Sequence, residues 1–241
     1  MIAREPDAVS QWLQRGTALF IRHVSTLDAD TVRGPSLLPG WTRAHVVAHV
    51  ARNAEALRRL ADWARTGEET PMYADPSQRA EEIETSAGHD VERLKSDLIE
   101  TSATLEEGLA ALTERQWGNE IRTARGRLVP ATEIPWMRVR EVWLHAVDLD
   151  TGFPLSGVPA DVVDALLDDV TTAFDARADV PPLTLNADDR PATWTIHGSE
   201  GDAVTAIGGA ADLLGWLTGR SAPDTVTAPD HPELPKIPSW L

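Results

Sequence analysis

One helical segment near the middle of the chain, residues 137–150, most constrains the fold. It reads MRVREVWLHAVDLD, and its apolar residues recur at three- and four-residue intervals, which predicts an amphipathic helix with one buried face. Glu141 and His145 are four positions apart, so their side chains project from one stripe of that helix. A carboxylate and an imidazole placed in this way can bind one metal ion. The segment therefore predicts a helix that supplies two ligands to a metal site.

A second pair of candidate ligands, His45 and His49, lies upstream in WTRAHVVAHVA. This segment is also predicted to be an apolar helix, and its two histidines are again four positions apart. Two inward-facing helices of a bundle could supply His and Glu ligands to one divalent ion, either zinc or ferrous iron. The alternative is a buried, hydrogen-bonded histidine and a surface ion pair between Glu141 and a neighbouring arginine. The residues alone leave the ligand set open among His45, His49, Glu141 and His145.

Four long helices are predicted in the first 150 residues, from helical periodicity and from capping and turn residues. They are the segments 7–27, 42–67, 76–112 and 131–150. Between the last two, residues 116–130 are predicted to be irregular or to form a short hairpin. This loop carries Arg122, Arg125 and Arg127, which could collect an anion or remain solvated. We expect a four-helix bundle with the ligand pairs on its second and fourth helices.

The remainder of the chain has a different pattern. Residues 151–159, TGFPLSGVP, predict a linker. After it come a helix at 160–177, the β-type runs LTLN, ATWTIHG and AVTAIGG, a helix at 210–218 and a last strand at 224–228. The expected fold class is therefore α+β, with a metal-binding four-helix bundle in residues 1–152 and a small α/β domain in residues 159–241.

Composition narrows the classes of partner. The formal net charge of −16 argues against nucleic acid and against an anionic membrane surface, which would require clustered Lys and Arg. The chain has no cysteine, which excludes Cys-ligated zinc and an internal thiol nucleophile. It shows neither a signal peptide nor an apolar run long enough to span a bilayer. We expect a cytoplasmic protein that is a monomer or a small homo-oligomer.

Three segments carry a resemblance to a known family. GWTRAHVVAHVARNAEAL, TGEETPMY and WMRVREVWLHAVDLD together resemble the mycothiol-dependent maleylpyruvate isomerases of actinobacteria, which belong to the superfamily of DinB-like metal-binding four-helix bundles. The resemblance runs the whole length of the chain. It implies a zinc ion held by His49, Glu141 and His145, with water in the open position and His45 as a packing or hydrogen-bonding neighbour. It also implies a catalytic or substrate-binding role for Arg220.

The activity that the resemblance implies is the cis-to-trans conversion of maleylpyruvate to fumarylpyruvate, with Zn2+ and mycothiol as cofactors. The partners would be a small dicarboxylate substrate and a low-molecular-weight thiol. Because the chain has no cysteine, the thiol that adds to the C=C bond must be imported, and zinc coordination would deprotonate it. Arg220 is the main candidate for pairing with the substrate carboxylates, and the arginines of the 116–130 loop are further candidates.

Two other functions fit the same residues. A zinc-dependent mycothiol S-transferase acting on other electrophiles would need the same metal and thiol, and pairing of Arg220 with a substrate carboxylate separates it from the isomerase. A non-catalytic metal- or thiol-sensing module would favour a closed shell with His45 as fourth ligand, because structural zinc sites leave no open position.

Overall fold

The computed structural model describes residues 5–199, 201–220, 223–231 and 233–240. The chain divides into two compact units, one running to Gly152 and the other beginning at Phe153. The first is helical and the second combines helices with a small sheet, so the predicted α+β class is confirmed. No helix in the described ranges is long and apolar enough to cross a membrane.

The first unit contains a bundle of four long helices and two further helices. In chain order, the helices of this unit are α1 (Pro6–Ser25), α2 (Arg43–Thr66), α3 (Pro76–Ala87), α4 (Val91–Ala110), the short α5 (Glu114–Trp117) and α6 (Glu133–Asp148). The helix α2 packs against α3, α4 and α6, while α1 packs against α6 and α4. The bundle therefore consists of α1, α2, α4 and α6, and α3 is an additional helix on the outside of α2.

The single helix predicted over residues 76–112 is wrong, because the chain breaks between α3 and α4. Gly88 ends α3 with a backbone hydrogen bond to the Glu84 carbonyl. Asp90 then caps α4, since its side chain accepts a hydrogen bond from the Arg93 backbone N–H at 2.9 Å. The break separates the segment into a bundle helix and a shorter helix that packs on α2.

The core of the bundle lies between α2 and its neighbours. Leu57, Leu60, Leu105 and Ile134 are almost completely buried in it. Burial of each such side chain contributes ~1.5–3 kcal/mol to stability. The predicted hairpin is present as β1 (Glu120–Arg122) paired antiparallel with β2 (Leu128–Pro130), and it adds inward-facing apolar side chains to the same core.

The second unit is a three-stranded mixed sheet with two helices. Its elements are α7 (Ala160–Asp175), β3 (Leu183–Ala187), β4 (Thr193–Ile196), β5 (Val204–Gly208) and α8 (Ala210–Thr218). The strand order is β4-β3-β5, with β3 antiparallel to β4 and parallel to β5. Both helices pack against the sheet and against each other. The three predicted strands and two predicted helices of this part are confirmed.

The last strand predicted at 224–228 is wrong. A 3-10 turn at Pro223–Thr225 curls the chain, and only Thr227 is extended beside β5. Thr227 exchanges two backbone hydrogen bonds of 2.8 Å with Ile207, so a single bridge takes the place of a strand.

Candidate metal centre

The packing of α2 against α6 brings together three of the candidate ligands. His49 lies on α2, and Glu141 and His145 lie one turn apart on α6. One ligand-type atom from each of the three lies within 4.8 Å of the others, which makes them a group that could hold a metal ion. The i, i+4 spacing on α6 and the tertiary contact with α2 together produce this group.

The two histidines converge on one oxygen atom. His49 Nε2 is 2.9 Å from Glu141 Oε2, and His145 Nε2 is 3.1 Å from the same oxygen. The two imidazole rings are perpendicular, with centroids 4.7 Å apart. The side chains of His49, His145 and Glu141 are 5%, 13% and 20% exposed, so the site is largely shielded but still open to solvent on the carboxylate side.

Glu141 is ionised at neutral pH. Burial would raise the pKa of this carboxyl group, but hydrogen bonds from His145 and His49 outweigh burial and hold the pKa well below its usual range. An ionised carboxylate can only accept hydrogen bonds, so the Nε2 atom of each histidine carries a proton that points at Glu141.

The pKa values of the two histidines shift in opposite directions, and their second nitrogens meet different groups. Burial lowers the pKa of His49, and the nearby Glu141 does not compensate fully. Burial also acts on His145, but hydrogen bonds with Asp148 and Glu141 overcome it and raise the pKa. Asp148 is fully buried, and its Oδ2 lies 2.8 Å from His145 Nδ1. His49 is therefore neutral in this arrangement, while His145 favours the imidazolium form.

This donor set fits zinc. Two imidazole nitrogens and one carboxylate oxygen are ligands of catalytic zinc sites, where a fourth position stays available for water or substrate. Ligating histidines usually donate their other N–H to a carboxylate or carbonyl group, and Asp148 already provides such an acceptor for His145. Ferrous iron uses a similar set of two histidines and one carboxylate.

His45 has other contacts. The Thr42 backbone N–H donates to His45 Nδ1 at 3.2 Å, and Thr42 Oγ1 lies 2.7 Å from the same nitrogen, so His45 completes the cap at the start of α2. Its Nε2 lies 3.4 Å from Glu84. Both ring nitrogens are thus engaged outside the group formed by His49, Glu141 and His145.

Three residues around the centre, Tyr73, Arg79 and Asp148, were not singled out by sequence reasoning. Arg138 is one of the two neighbouring arginines of the surface ion-pair alternative, Arg138 and Arg140, but the structure buries it. Asp148 was detectable in principle, because it lies three positions from His145 on α6. Tyr73 and Arg79 reach the site from the α2–α3 loop and from α3, and no local pattern in the sequence signals that approach.

Arg138 is a buried cation next to the centre. Its Nη1 donates to the Val50 carbonyl at 2.6 Å and to Asn53 Oδ1 at 2.8 Å, and its Nη2 lies 3.3 Å from Ser102 Oγ. Burial lowers the pKa of Arg138 to about 10, and Glu141 opposes this shift. The residue remains charged at neutral pH and ties α6 to α2 and α4 one turn before Glu141.

The structure gives the position of each arginine proposed from the sequence within its own unit. Arg122, Arg125 and Arg127 are exposed on the β1–β2 hairpin. Arg220 belongs to the second unit, where it follows the left-handed Gly219 that ends α8. Its backbone N–H bonds to the Gly215 carbonyl at 2.8 Å, and its Nη1 donates to the Thr218 carbonyl at 3.3 Å.

Comparisons with known proteins cover nearly the whole chain. A family model described as "Mycothiol maleylpyruvate isomerase N-terminal domain" matches residues 13–150, and one described as "MDMPI C-terminal domain" matches residues 157–236. Among curated proteins, none matches the chain. Two similar solved structures are the crystal structures of the mycothiol-dependent maleylpyruvate isomerase and of a mutant of it. Each is 34% identical, covers 98% of both chains and has a TM-score of 0.92.

The family models and the solved structures agree with each other and with the two units of the fold. The N-terminal match spans more than half of the chain and contains all three ligand-type residues. The likeness to the solved structures extends through both units at an identity well above the level at which fold alone is shared. This chain therefore belongs to the mycothiol maleylpyruvate isomerase family.

Proposed function

We propose that this protein isomerises maleylpyruvate to fumarylpyruvate, with mycothiol as a thiol cofactor and zinc held by His49, Glu141 and His145. The observation that carries the proposal is the convergence of both histidine Nε2 atoms on one oxygen of Glu141 in a member of this family. The similar solved structures are those of a mycothiol-dependent maleylpyruvate isomerase, which supports the choice of substrate and thiol.

The reaction requires a nucleophile that the chain does not contain. A C=C bond rotates only after its bond order falls, and reversible addition of a thiolate to the alkene lowers it. The substrate rotates about the resulting single bond, and loss of the thiolate restores the alkene in the trans form. Because the protein has no cysteine, the sulfur must come from a bound thiol. A reduced thiol persists in a reducing compartment, so the reaction would run in the cytoplasm.

The protein's own residues hold and orient the reacting groups. A zinc ion bound by this set would supply the charge that keeps a coordinated thiol deprotonated near neutral pH. Glu141 contributes the one negative charge of the donor set, while Asp148 fixes the orientation of the His145 ring through Nδ1. The largely shielded site limits access of water to these groups.

Arg220 is the proposed partner of a substrate carboxylate. A guanidinium group pairs with a carboxylate through two parallel N–H···O bonds, which fixes orientation as well as charge. It could also stabilise the enolate oxygen that forms while the C=C bond is single. The substrate has a second carboxylate, which another cationic group or neutral N–H and O–H donors could bind.

The test is turnover of maleylpyruvate by the purified zinc-loaded protein, followed spectroscopically with and without added mycothiol. We expect isomerisation only in the presence of mycothiol, and none from the His49→Ala variant under the same conditions. A protein that contains zinc and yet fails to convert maleylpyruvate with mycothiol present would refute the proposal. Thiol transfer from mycothiol to other electrophiles would then become the leading function for this site.

A further inference from the structure

A second cationic group lies at the metal centre itself. Arg79 is an exposed residue of α3, and its Nη2 is 3.4 Å from Nδ1 of His49. Arg79 also forms a side-chain hydrogen bond with Tyr73, and this contact offsets part of the rise that burial causes in the pKa of Tyr73. Within the ranges that the structure describes, no carboxylate forms an ion pair with Arg79. The charge of Arg79 is therefore not neutralised by a carboxylate in the described part of the protein.

The contact between Arg79 and His49 depends on which nitrogen of His49 carries the proton. Neutral His49 donates from Nε2 to the ionised Glu141, so its Nδ1 has a lone pair and accepts from Arg79. A metal ion would need the Nε2 lone pair, because Nε2 is the atom that faces Glu141 and His145. The proton of the neutral ring would then reside on Nδ1. Nδ1–H and the guanidinium would both be donors, and their hydrogen bond could not persist.

The other histidine of the site shows the opposite arrangement. His145 Nδ1 faces the acceptor Asp148, so this contact suits a ring that binds a metal through Nε2. His49 Nδ1 faces a donor, which suits only the metal-free ring. Metal loading therefore leaves the His145 contact intact and disrupts the Arg79 contact.

We propose that Arg79 and Tyr73 form a carboxylate subsite beside the metal centre, and that metal binding to His49 releases Arg79 to serve it. This inference rests on the proposed function, since its ligand would be one carboxylate of the dicarboxylate substrate. The guanidinium offers paired N–H donors and the Tyr73 hydroxyl offers a third donor, which together match a carboxylate. Burial keeps the pKa of Tyr73 above its ordinary value, so the hydroxyl remains protonated at neutral pH.

The test measures the affinity of maleate, a cis dicarboxylate, by isothermal titration calorimetry. Wild type, Arg79→Gln and the control Arg115→Gln are each titrated in zinc-loaded and zinc-free form. Arg115 is an exposed arginine of α5, outside the group of ligand-type residues. In the zinc-loaded protein, Arg79→Gln should weaken maleate binding about 10- to 100-fold, the size of a lost charge-assisted hydrogen-bond pair.

The coupling is tested by the difference between the two metal states. In the zinc-free protein, Arg79 is still engaged by His49, so Arg79→Gln should cost only about twofold in maleate affinity. The reciprocal effect is tighter zinc binding in Arg79→Gln, because the variant removes both a cation and the donor that holds His49 in the wrong tautomer. Tyr73→Phe, which keeps the aromatic packing, should weaken maleate binding several-fold, and Arg115→Gln should behave as wild type.

The carboxylate subsite and its coupling to the metal can each be refuted by a particular outcome. If wild-type protein does not bind maleate, or if zinc-loaded Arg79→Gln binds it within about twofold of wild type, Arg79 is not a carboxylate ligand. An equal loss in both metal states would remove the coupling through His49. The measurement does not depend on turnover. A protein that fails to convert maleylpyruvate but shows Arg79-dependent maleate binding would lose the proposed reaction and keep the subsite.

Discussion

At the level of single residues, three histidines of the same helical bundle have different roles because they have different hydrogen-bond partners. His45 caps a helix, His49 contacts a cation and a carboxylate, and His145 lies between two carboxylates. These partners, and not the histidines alone, determine which nitrogen is protonated and which ring can bind a metal. His45 and His49 are therefore an i, i+4 pair in which the first residue is structural and the second is a candidate ligand.

His49 and His45 form a matched pair for mutation, since they are the same residue type one turn apart on α2. His49→Ala should lose bound zinc because it removes one of three ligands. His45→Ala should keep a full zinc complement and lose ~0.5–1 kcal/mol of stability with the helix cap. Metal analysis after gel filtration and urea unfolding measure both effects. Full zinc in His49→Ala would disprove its role as a ligand, and zinc loss in folded His45→Ala would make His45 a ligand.

Asp148 gives the second prediction at this scale. Replacing it with asparagine removes the charge that holds His145 Nδ1–H and should weaken zinc binding ~10- to 100-fold, the usual effect of losing such a partner. Competition with a chelating dye measures the affinity. Asp97→Asn is the control, because Asp97 is also a buried carboxylate but belongs to α4 and pairs with Arg52. Equal zinc affinities in the Asp148 and Asp97 variants would show that Asp148 has no influence on the centre.

The sequence predicts the part of the site that depends on helical spacing. Glu141 and His145 are fixed relative to each other by the geometry of α6, and His49 follows once α2 packs against it. Arg79 and Tyr73 are different, because their proximity to His49 arises from the path of the α2–α3 loop and the placement of α3. Side chains brought together by tertiary packing leave no periodic signal in a single sequence.

At the level of elements, close helix packing positions the ligand-bearing helix α6. An added Cβ at Gly16 on α1 would lie 2.6 Å from both Trp143 Nε1 and Val142 Cγ2 on α6. The indole N–H of Trp143 donates to the Trp12 carbonyl at 3.0 Å, which shows how closely α1 and α6 approach. Since Val142 and Trp143 directly follow Glu141, the α1–α6 contact supports the backbone that carries a ligand.

Gly16→Ala should therefore destabilise the bundle by ~1–3 kcal/mol, the usual effect of overpacking a tight contact. Urea unfolding followed by tryptophan fluorescence measures the change. Gly118→Ala is the control, because a Cβ there meets only one carbonyl oxygen at 3.5 Å and the residue has a negative φ. If both variants unfold at the urea concentration of wild type, α1 and α6 have room to separate.

Prediction of elements fails where periodicity continues across a break. Residues 76–112 have helical patterning on both sides of Gly88, so the two helices resemble one, although Gly88 and the Asp90 cap are recognisable stop and start signals. Residues 224–228, DTVTA, are rich in β-branched side chains as strands are, but a turn leaves only Thr227 beside β5. In both cases a local cap or turn ends the regular element, although the residue pattern on which the prediction was based continues past it.

At the level of the whole molecule, the net charge of the protein has the same sign as the charge of the proposed substrate. The chain carries a formal net charge of −16, and the proposed substrate carries two carboxylates, so the overall field repels it. Binding must then depend on cations at short range, where Coulomb attraction exceeds the screened repulsion of distant charges. Arg79 and Arg220 are the two cations proposed above for such contacts.

Arg220→Ala should keep wild-type zinc content, because Arg220 lies outside the unit that carries the three ligand-type residues. Turnover should fall by about 10²–10³-fold if the arginine stabilises charge that develops in the transition state. Arg220→Lys should recover only part of the loss, since an ammonium group cannot form the paired bonds of a guanidinium.

The matched control is Arg177→Ala, which replaces an arginine of the same unit that pairs with Asp179. Steady-state kinetics measure kcat/KM for each variant. An unchanged kcat/KM in Arg220→Ala would show that Arg220 does not contribute to the reaction and would leave Arg79 as the candidate that binds substrate.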